Sequence, residues 1–207
     1  MSSKEYFNNV ANEWDTMRQS FFSESVREKI YQVAEVEKGR TVADLGAGTG
    51  FITEGLIKNG VNVIAVDQSI AMLQKLEEKF LSSGLVKCLN GEAENLPIED
   101  NSVDYAMANM YLHHVETPLA AIREMVRILK PGGKVVITDL DEHSFEFLKT
   151  EQHDKWMGFK RDDIKKWFSD AGLTNVTIEC VGEDCCATST CSNQNASISI
   201  FIAYGEK

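Results

Sequence analysis

The chain has 207 residues, 43% hydrophobic and 26% charged, the proportions of one globular domain able to bury a core of its own. Its formal charge is −11 and no dense basic run offsets the acidic balance, which excludes nucleic acid as the expected partner. No stretch reaches the roughly 18 consecutive apolar residues of a membrane span. The opening MSSKEYFNNV lacks the apolar run of a secretory signal, so the cytoplasm is the expected location. Five cysteines, an odd number in such a context, fit thiols better than a disulfide framework.

Strands and helices alternate, with neither an internal repeat nor a low-complexity linker. Val26, Ile30, Val33 and Ala34 fall on one face of a helix over 23–36, with Ser25 and Glu28 spaced as a capping box. A strand over 41–45 follows, then a helix to about 58 that Asn59-Gly60 stops. The second strand covers 61–66, and a helix over 69–81 turns Ile70, Leu73, Leu76 and Phe80 inward. Strands over 85–89 and 103–108 come next. Thr117 and Pro118 open a helix as N-cap and first-turn proline, with Leu119, Ile122, Met125, Val126 and Leu129 on its buried face. Pro131-Gly132-Gly133 ends it before a fifth strand over 134–139. A last helix carries Ile164, Trp167, Phe168 and Ala171, and Gly172 stops it. Two strands, 174–182 and 196–204, joined by a polar loop, complete the chain as an antiparallel hairpin. The pattern predicts an α/β fold, a mostly parallel sheet with one reversed strand.

Two stretches carry chemistry. Thr41-Val42-Ala43-Asp44-Leu45-Gly46-Ala47-Gly48-Thr49-Gly50 leads a strand through an acid into a glycine-rich turn, and the run Val61 to Val66 ends on Asp67. Glycines let such a turn pass close beneath a ligand, and a carboxylate at the tip of the second strand accepts hydrogen bonds from a ribose. A dinucleotide-binding turn reads Gly-x-Gly-x-x-Gly, with a pyrophosphate at the helix N-terminus. Here Phe51 holds the third glycine's place, which speaks against a NAD-dependent oxidoreductase. The spacing Gly-x-Gly-x-Gly with Asp44 upstream resembles the class I methyltransferases that use S-adenosylmethionine (SAM). That ligand has no phosphate but carries an ammonium and a sulfonium, which suit an acidic strand end.

The resemblance is densest over 40–140 and is to the small-molecule branch, methyltransferase type 11, akin to enzymes of ubiquinone and menaquinone biosynthesis. It implies a Rossmann-like three-layer sandwich with a seven-stranded sheet in the order 3-2-1-4-5-7-6, strand seven antiparallel. The chain then divides, within a single domain, into an N-terminal helical lid (1–36), a SAM-binding core (40–140) and a substrate-side segment with the hairpin (140–207). By this resemblance Asp44, Gly46, Ala47 and Gly48 cradle SAM, Asp67 and Gln68 take the ribose, and Met72 lies against adenine. Glu92 and Ala93, in the acidic turn Gly91-Glu92-Ala93-Glu94-Asn95-Leu96-Pro97, meet the adenine amino group, although Asp is the commoner residue at Glu92. Asn109 and His114 bound the loop Asn109-Met110-Tyr111-Leu112-His113-His114, which runs under the methionine moiety. Leu129-Lys130-Pro131-Gly132-Gly133 is a further hallmark, turning a helix into strand five. The stretch from Tyr6 to Asp15 resembles a segment that folds over the cofactor, with Tyr6 and Trp14 offering ring faces to the sulfonium.

Methyl transfer from a sulfonium is an in-line displacement, leaving S-adenosylhomocysteine, and the protein's task is to hold donor and acceptor aligned and dry. A weakly acidic acceptor also needs a base, for which His113 and His143 are the candidates. No Asp/Asn-Pro-Pro-aromatic motif follows strand four, which agrees with the charge in excluding nucleic-acid bases. The expected partner is a small-molecule methyl acceptor. Cys185, Cys186 and Cys191, with Cys180 just before, fall in the loop after strand six. Because strand six runs parallel to the first five, that loop emerges at the carboxyl edge of the sheet, as does the segment from Asp139 to Glu146. His143, Cys185, Cys186 and Cys191 are therefore candidate acceptor-side residues, and soft thiolates would admit a thiophilic metalloid. A likeness to arsenic-linked methyltransferases adds arsenite as an alternative acceptor. Cys-Cys-x4-Cys is not a zinc-binding spacing, so no metal site is expected. A non-catalytic SAM- or metal(loid)-binding module is the remaining alternative. Neither the acceptor nor the oligomeric state follows from the sequence.

Overall fold

In β1 (Thr41–Leu45), Val42 and Ala43 point to opposite faces and are both fully buried, so the strand needs cover on both sides. The computed structural model, which describes residues 2–189, 191 and 194–207, meets this need with a seven-stranded sheet between two helical layers. The other strands are β2 (Asn62–Asp67), β3 (Val86–Asn90), β4 (Val103–Asn109), β5 (Leu129–Leu140), β6 (Thr174–Thr188) and β7 (Asn195–Glu206). Their order is β3-β2-β1-β4-β5-β7-β6, with β1 to β5 parallel and β7 antiparallel to both β5 and β6. The fold is thus the Rossmann-like sandwich that the sequence implies. Registers pairing Leu45 with Val66, Asp67 with Asn90 and Asn109 with Thr138 bring the strand ends to one carboxyl edge.

Helices α3 (Glu24–Ala34), α4 (Phe51–Lys58) and α5 (Ile70–Phe80) cover one face, where Ile30, Leu56 and Leu76 join Val42, Val63, Met107 and Ile202 in one core. Helices α6 (Pro118–Ile128) and α8 (Arg161–Asp170) cover the other, where Ile122 and Phe168 join Ala43, Val135 and Phe201. Phe168 and Phe201 are both fully buried, and each such side chain contributes about 1.5–3 kcal/mol by leaving water. Two short helices, α1 (Ser3–Val10) and α2 (Trp14–Arg18), precede this sandwich, and α7 (Phe147–Glu151) lies between β5 and α8. Among the described residues, no helix is long and apolar enough to cross a membrane.

Local chemistry moves several elements from their expected bounds. Helix α3 is capped by Ser23, whose hydroxyl accepts from the Ser25 backbone, and the reciprocal capping box forms instead at Ser2 and Glu5 of α1. Helix α6 ends at Ile128 because Leu129 turns extended and pairs with Val103, two residues ahead of a proline that disfavours helix before it. Ile70 is 54% exposed, since it sits off the stripe that Met72, Leu73 and Leu76 bury. The largest departure is β6, expected to stop at 182. It absorbs Gly182 (φ +92°) in an irregularity between Cys180 and Asp184 and pairs with β7 as far as Thr188. Cys185 and Cys186 therefore lie in a strand and not in a loop.

Candidate cofactor and acceptor site

The turn after β1 makes a hollow at the carboxyl edge. Gly46 has φ +65°, and a Cβ there would stand 2.2 Å from the Tyr111 ring, so only glycine lets that ring lie over the turn. The turn is held to β2 by the Ala47 backbone, which donates to the Val66 carbonyl, and by Asp67. One Asp67 oxygen accepts from the Gly48 backbone at 2.9 Å and the other from Ser69 at 2.8 Å. Asp44 in turn accepts from the Thr53 backbone and hydroxyl at 3.0 and 2.7 Å, fixing the first turn of α4. Burial pushes both carboxyls up to about 6, against the pull of those same hydrogen bonds. A ligand bringing cationic charge and hydroxyl donors would relieve that cost.

The hollow is an open pocket, and Trp14, Asp44, Gly46, Ala47, Gly48, Asp67, Gln68, Met72, Asn109 and His114 all line it. Phe7, Thr49, Met110 and Tyr111, from the expected lid, turn and loop, line it as well, and so do Arg18, Phe22, Phe51 and Ile52, which no sequence motif marks. Phe7 and Trp14 come from α1 and α2, which are tied down over the cavity. The Ser69 hydroxyl donates to Asn8 at 2.6 Å, the Thr49 hydroxyl donates to Asp15 at 2.6 Å, and Lys79 also bonds Asp15. Arg18 is buried, with its guanidinium 4.2 Å from the Phe51 ring centre and 3.3 Å from a Glu24 oxygen.

A second cavity abuts the first, and the two share Phe7, Trp14, Phe22, Met110 and His114. Its other walls are apolar (Phe21, Leu140, Leu148, Ala187) except at one end, where His113, Gln152, Asp154 and Cys185 meet. His113 Nδ1 lies 2.7 Å from an oxygen of fully buried Asp139. His113 Nε2 and His114 Nδ1 are each 3.8 Å from the same Asp154 oxygen. Burial opposes a charge on His113, but Asp139 and then Asp154 outweigh it and raise its pKa to about 9. Burial, then the charge of His113, drives His114 well below the usual imidazole range. Burial also lifts Asp154 to about 6, with His113 opposing.

Several sequence-derived candidates fall elsewhere. Tyr6 turns away from the first cavity, donating its hydroxyl to Gln152 at 2.8 Å with its ring against His153. Glu92 and Ala93 are outside the lining of either cavity, because the acidic turn folds on itself through a bridge between Glu92 and Asn95. His143 lines a separate surface recess and accepts from the Phe145 backbone at 3.3 Å. Of the thiols only Cys185 reaches the second cavity, because the two-residue period of β6 turns Cys185 inward and Cys186 outward. Cys186 and Cys191 are exposed, and burial pushes the Cys185 thiol up to about 12, so it stays protonated. Asp139 stood in a segment already marked for its sheet edge, but nothing in the sequence around Asp154 marks it.

Comparison with known proteins identifies the family and the fold. The family pattern described as "Methyltransferase domain" matches residues 43–137. The chain is 30% identical over 205 residues to the demethylmenaquinone methyltransferase of Staphylococcus aureus, covering 83% of this chain and 85% of that one. It is 33% identical over 165 residues to a rice 2-methyl-6-phytyl-1,4-hydroquinone methyltransferase, covering 78% of this chain and 49% of that protein, so it spans about half of the rice relative. In fold it matches a chain from the complex between the Haloferax volcanii Trm112 methyltransferase activator and a methyltransferase, with a TM-score of 0.80, 21% identity, and coverage of 99% and 97%.

Proposed function

This chain belongs to the class I SAM-dependent methyltransferases, in their small-molecule branch, and from that premise we propose that it binds SAM in the first cavity and methylates a hydroxylated aromatic acceptor, of the hydroquinone kind, in the second. The observation that carries this reading is the shared wall of Phe7, Trp14, Phe22, Met110 and His114, which leaves the two cavities in contact. SAM supplies an electrophilic methyl group on a sulfonium. The residues present fit such a ligand: Asp67 offers carboxylate oxygens to a ribose, Met72 an apolar surface to a flat base, and Trp14 a ring face to a cation. Arg18, the one guanidinium or ammonium among the described lining residues, suits the carboxylate of the amino-acid end. Asp44 balances the ammonium beside it. Phe7, Trp14 and Phe22 exclude water from the junction, and alignment in a dry channel supplies much of what a methyl displacement needs.

The acceptor class follows from the second cavity's shape and lining. Apolar walls suit a flat ring, and the polar end with His113, Gln152 and Asp154 suits a hydroxyl group on it. The two curated relatives are named for a hydroquinone and for demethylmenaquinone, which supports the same class. An arsenite acceptor would need several thiols together, whereas Cys185 alone reaches the cavity.

Incubation of the purified protein with methyl-labelled SAM and a panel of 1,4-benzo- and 1,4-naphthohydroquinones tests the reading. Label is expected on a hydroquinone, with Trp14→Ala and Phe7→Ala each lowering transfer at least tenfold. Tight SAM binding with label passing only to amines or thiols would overturn the acceptor class. Binding of NADH in preference to SAM would overturn the cofactor.

A further inference from the structure

We propose that His113, His114 and Asp154 form a binding site for one divalent transition-metal ion, zinc being the best fit, with a coordination position open to the second cavity. The three donor atoms, His113 Nε2, His114 Nδ1 and an Asp154 oxygen, lie within 4.8 Å of one another, and all three residues are buried. Each imidazole nitrogen is 3.8 Å from the carboxylate oxygen, too far for a hydrogen bond. His114 Nδ1 is buried with no hydrogen-bond partner among the described residues. A polar nitrogen left so in a closed environment is costly, and a cation at the centre of the three donors would satisfy it.

The second observation is how the two rings are held. His113 is anchored through its far nitrogen to Asp139 at 2.7 Å, and the His114 ring lies against it with the ring centres 4.1 Å apart. Metal-binding histidines are oriented in this way, one nitrogen on a carboxylate or carbonyl and the other ligating, and at His113 the ion takes the place of the proton on Nε2, which passes to solvent. Zinc holds nitrogen and carboxylate ligands at about 2.0–2.2 Å, which in a tetrahedron separates them by about 3.3 Å. Each nitrogen needs to close on the carboxylate oxygen by about half an ångström, and the two nitrogens, no more than 4.8 Å apart, by at most about 1.5 Å. Two imidazoles and one carboxylate favour zinc, iron(II) or cobalt(II) over magnesium or calcium, which prefer all-oxygen shells. Three protein ligands with a fourth position open is the arrangement of a catalytic site, not a structural one.

The site stands independently of the acceptor, but its role rests on the function proposed above. An acceptor hydroxyl at the open position would bind the ion through oxygen, and its O–H bond would break with the proton passing to solvent. The resulting oxyanion makes the acceptor a stronger nucleophile toward a methyl group. Sequence spacing could not reveal the site, because two ligands are adjacent and the third comes from the segment after α7.

The test uses the full chain stripped with EDTA, titrated with zinc by calorimetry and with cobalt(II) by visible absorption. One ion per chain is expected, with the absorption bands of four-coordinate cobalt. Asp154→Asn and His114→Gln are expected to weaken binding at least a hundredfold, and Asp139→Asn about 10–100-fold through the ring it orients. A Cys186→Ser/Cys191→Ser double variant should bind zinc as the parent does. Thermal melts of each variant show that the fold persists. No ion bound would overturn the proposal, leaving a cluster that holds only a proton. Binding unchanged in Asp154→Asn, or lost in the double cysteine variant, would also overturn it. S-adenosylhomocysteine titrated into the same samples separates the two readings, since zinc without the nucleoside leaves the metal site standing and refutes the cofactor site.

Discussion

Replacing Asp67 by Asn separates ligand binding from folding. The carboxyl is raised from 3.8 to about 6 by burial, so its ionised form has lost about 3 kcal/mol of stability at about 1.4 kcal/mol per pH unit. Asn removes that cost but can accept from only one of the Gly48 and Ser69 backbone groups, and an orphaned buried N–H costs about 1–3 kcal/mol. The two effects oppose each other, and the net change in folding is expected within about 2 kcal/mol, or about 6 °C in Tm for a chain of this size. Binding has no such compensation. A ribose diol donating two hydroxyls to a carboxylate gains about 1.5–3 kcal/mol from each, and the amide oxygen recovers only part of one. Affinity for S-adenosylhomocysteine should therefore fall by at least about a hundredfold, measured by calorimetry at pH 8 beside a thermal melt. An Asn variant that binds as tightly as the parent would refute Asp67 as the ribose partner. One that fails to fold would show that the two backbone bonds outweigh the relief of buried charge.

Three further outcomes follow from other features. Because Asp44, Asp67 and Asp154 take up protons near pH 6 in the folded chain but near 3.8 when unfolded, acidification from 6 to 4 should favour folding through these three, against the opposing pull of His114, and Asp67→Asn should make that stabilisation smaller. The same proton opposes cofactor binding, so the Kd for S-adenosylhomocysteine should rise about tenfold per pH unit below about 6, and a flat profile from pH 8 to 5 would contradict this. Gly46→Ala adds a Cβ 2.2 Å from Tyr111 at φ +65°, and should lower cofactor affinity at least tenfold by displacing that ring, with intact affinity ruling the contact out. Phe168→Ala, at a fully buried position far from either cavity, should cost about 3–5 kcal/mol in denaturant unfolding while leaving the Kd unchanged below the transition. A change in Kd there would mean that the core of that face is coupled to the site.

Much of the molecule was legible in one dimension. Helical stripes such as Ile122 and Met125, strand runs such as Val61 to Val66, and the glycine turn with its flanking acids act through neighbours a few residues apart, so local spacing carries them. The resemblance built on those motifs added the order of the strands. Ten of the thirteen expected cofactor residues line one cavity because β1, β2 and β4 end at one edge in a parallel sheet. What lay beyond the sequence depends on register and on distant meetings. Whether Cys185 or Cys186 faces inward is settled by a one-residue choice of phase in β6, and the irregularity that keeps the strand going to Thr188 leaves only an ambiguous glycine in the sequence. Tyr6 and Trp14 share an aromatic segment, yet Gln152 draws the first away while α2 turns the second into the cavity. The meeting of His113 and His114 with Asp139 and Asp154 is the clearest case. Each is an ordinary polar residue along the chain. Only the packing of β4, β5 and the segment after α7 buries them together, and burial is what turns their charges and lone pairs into a site.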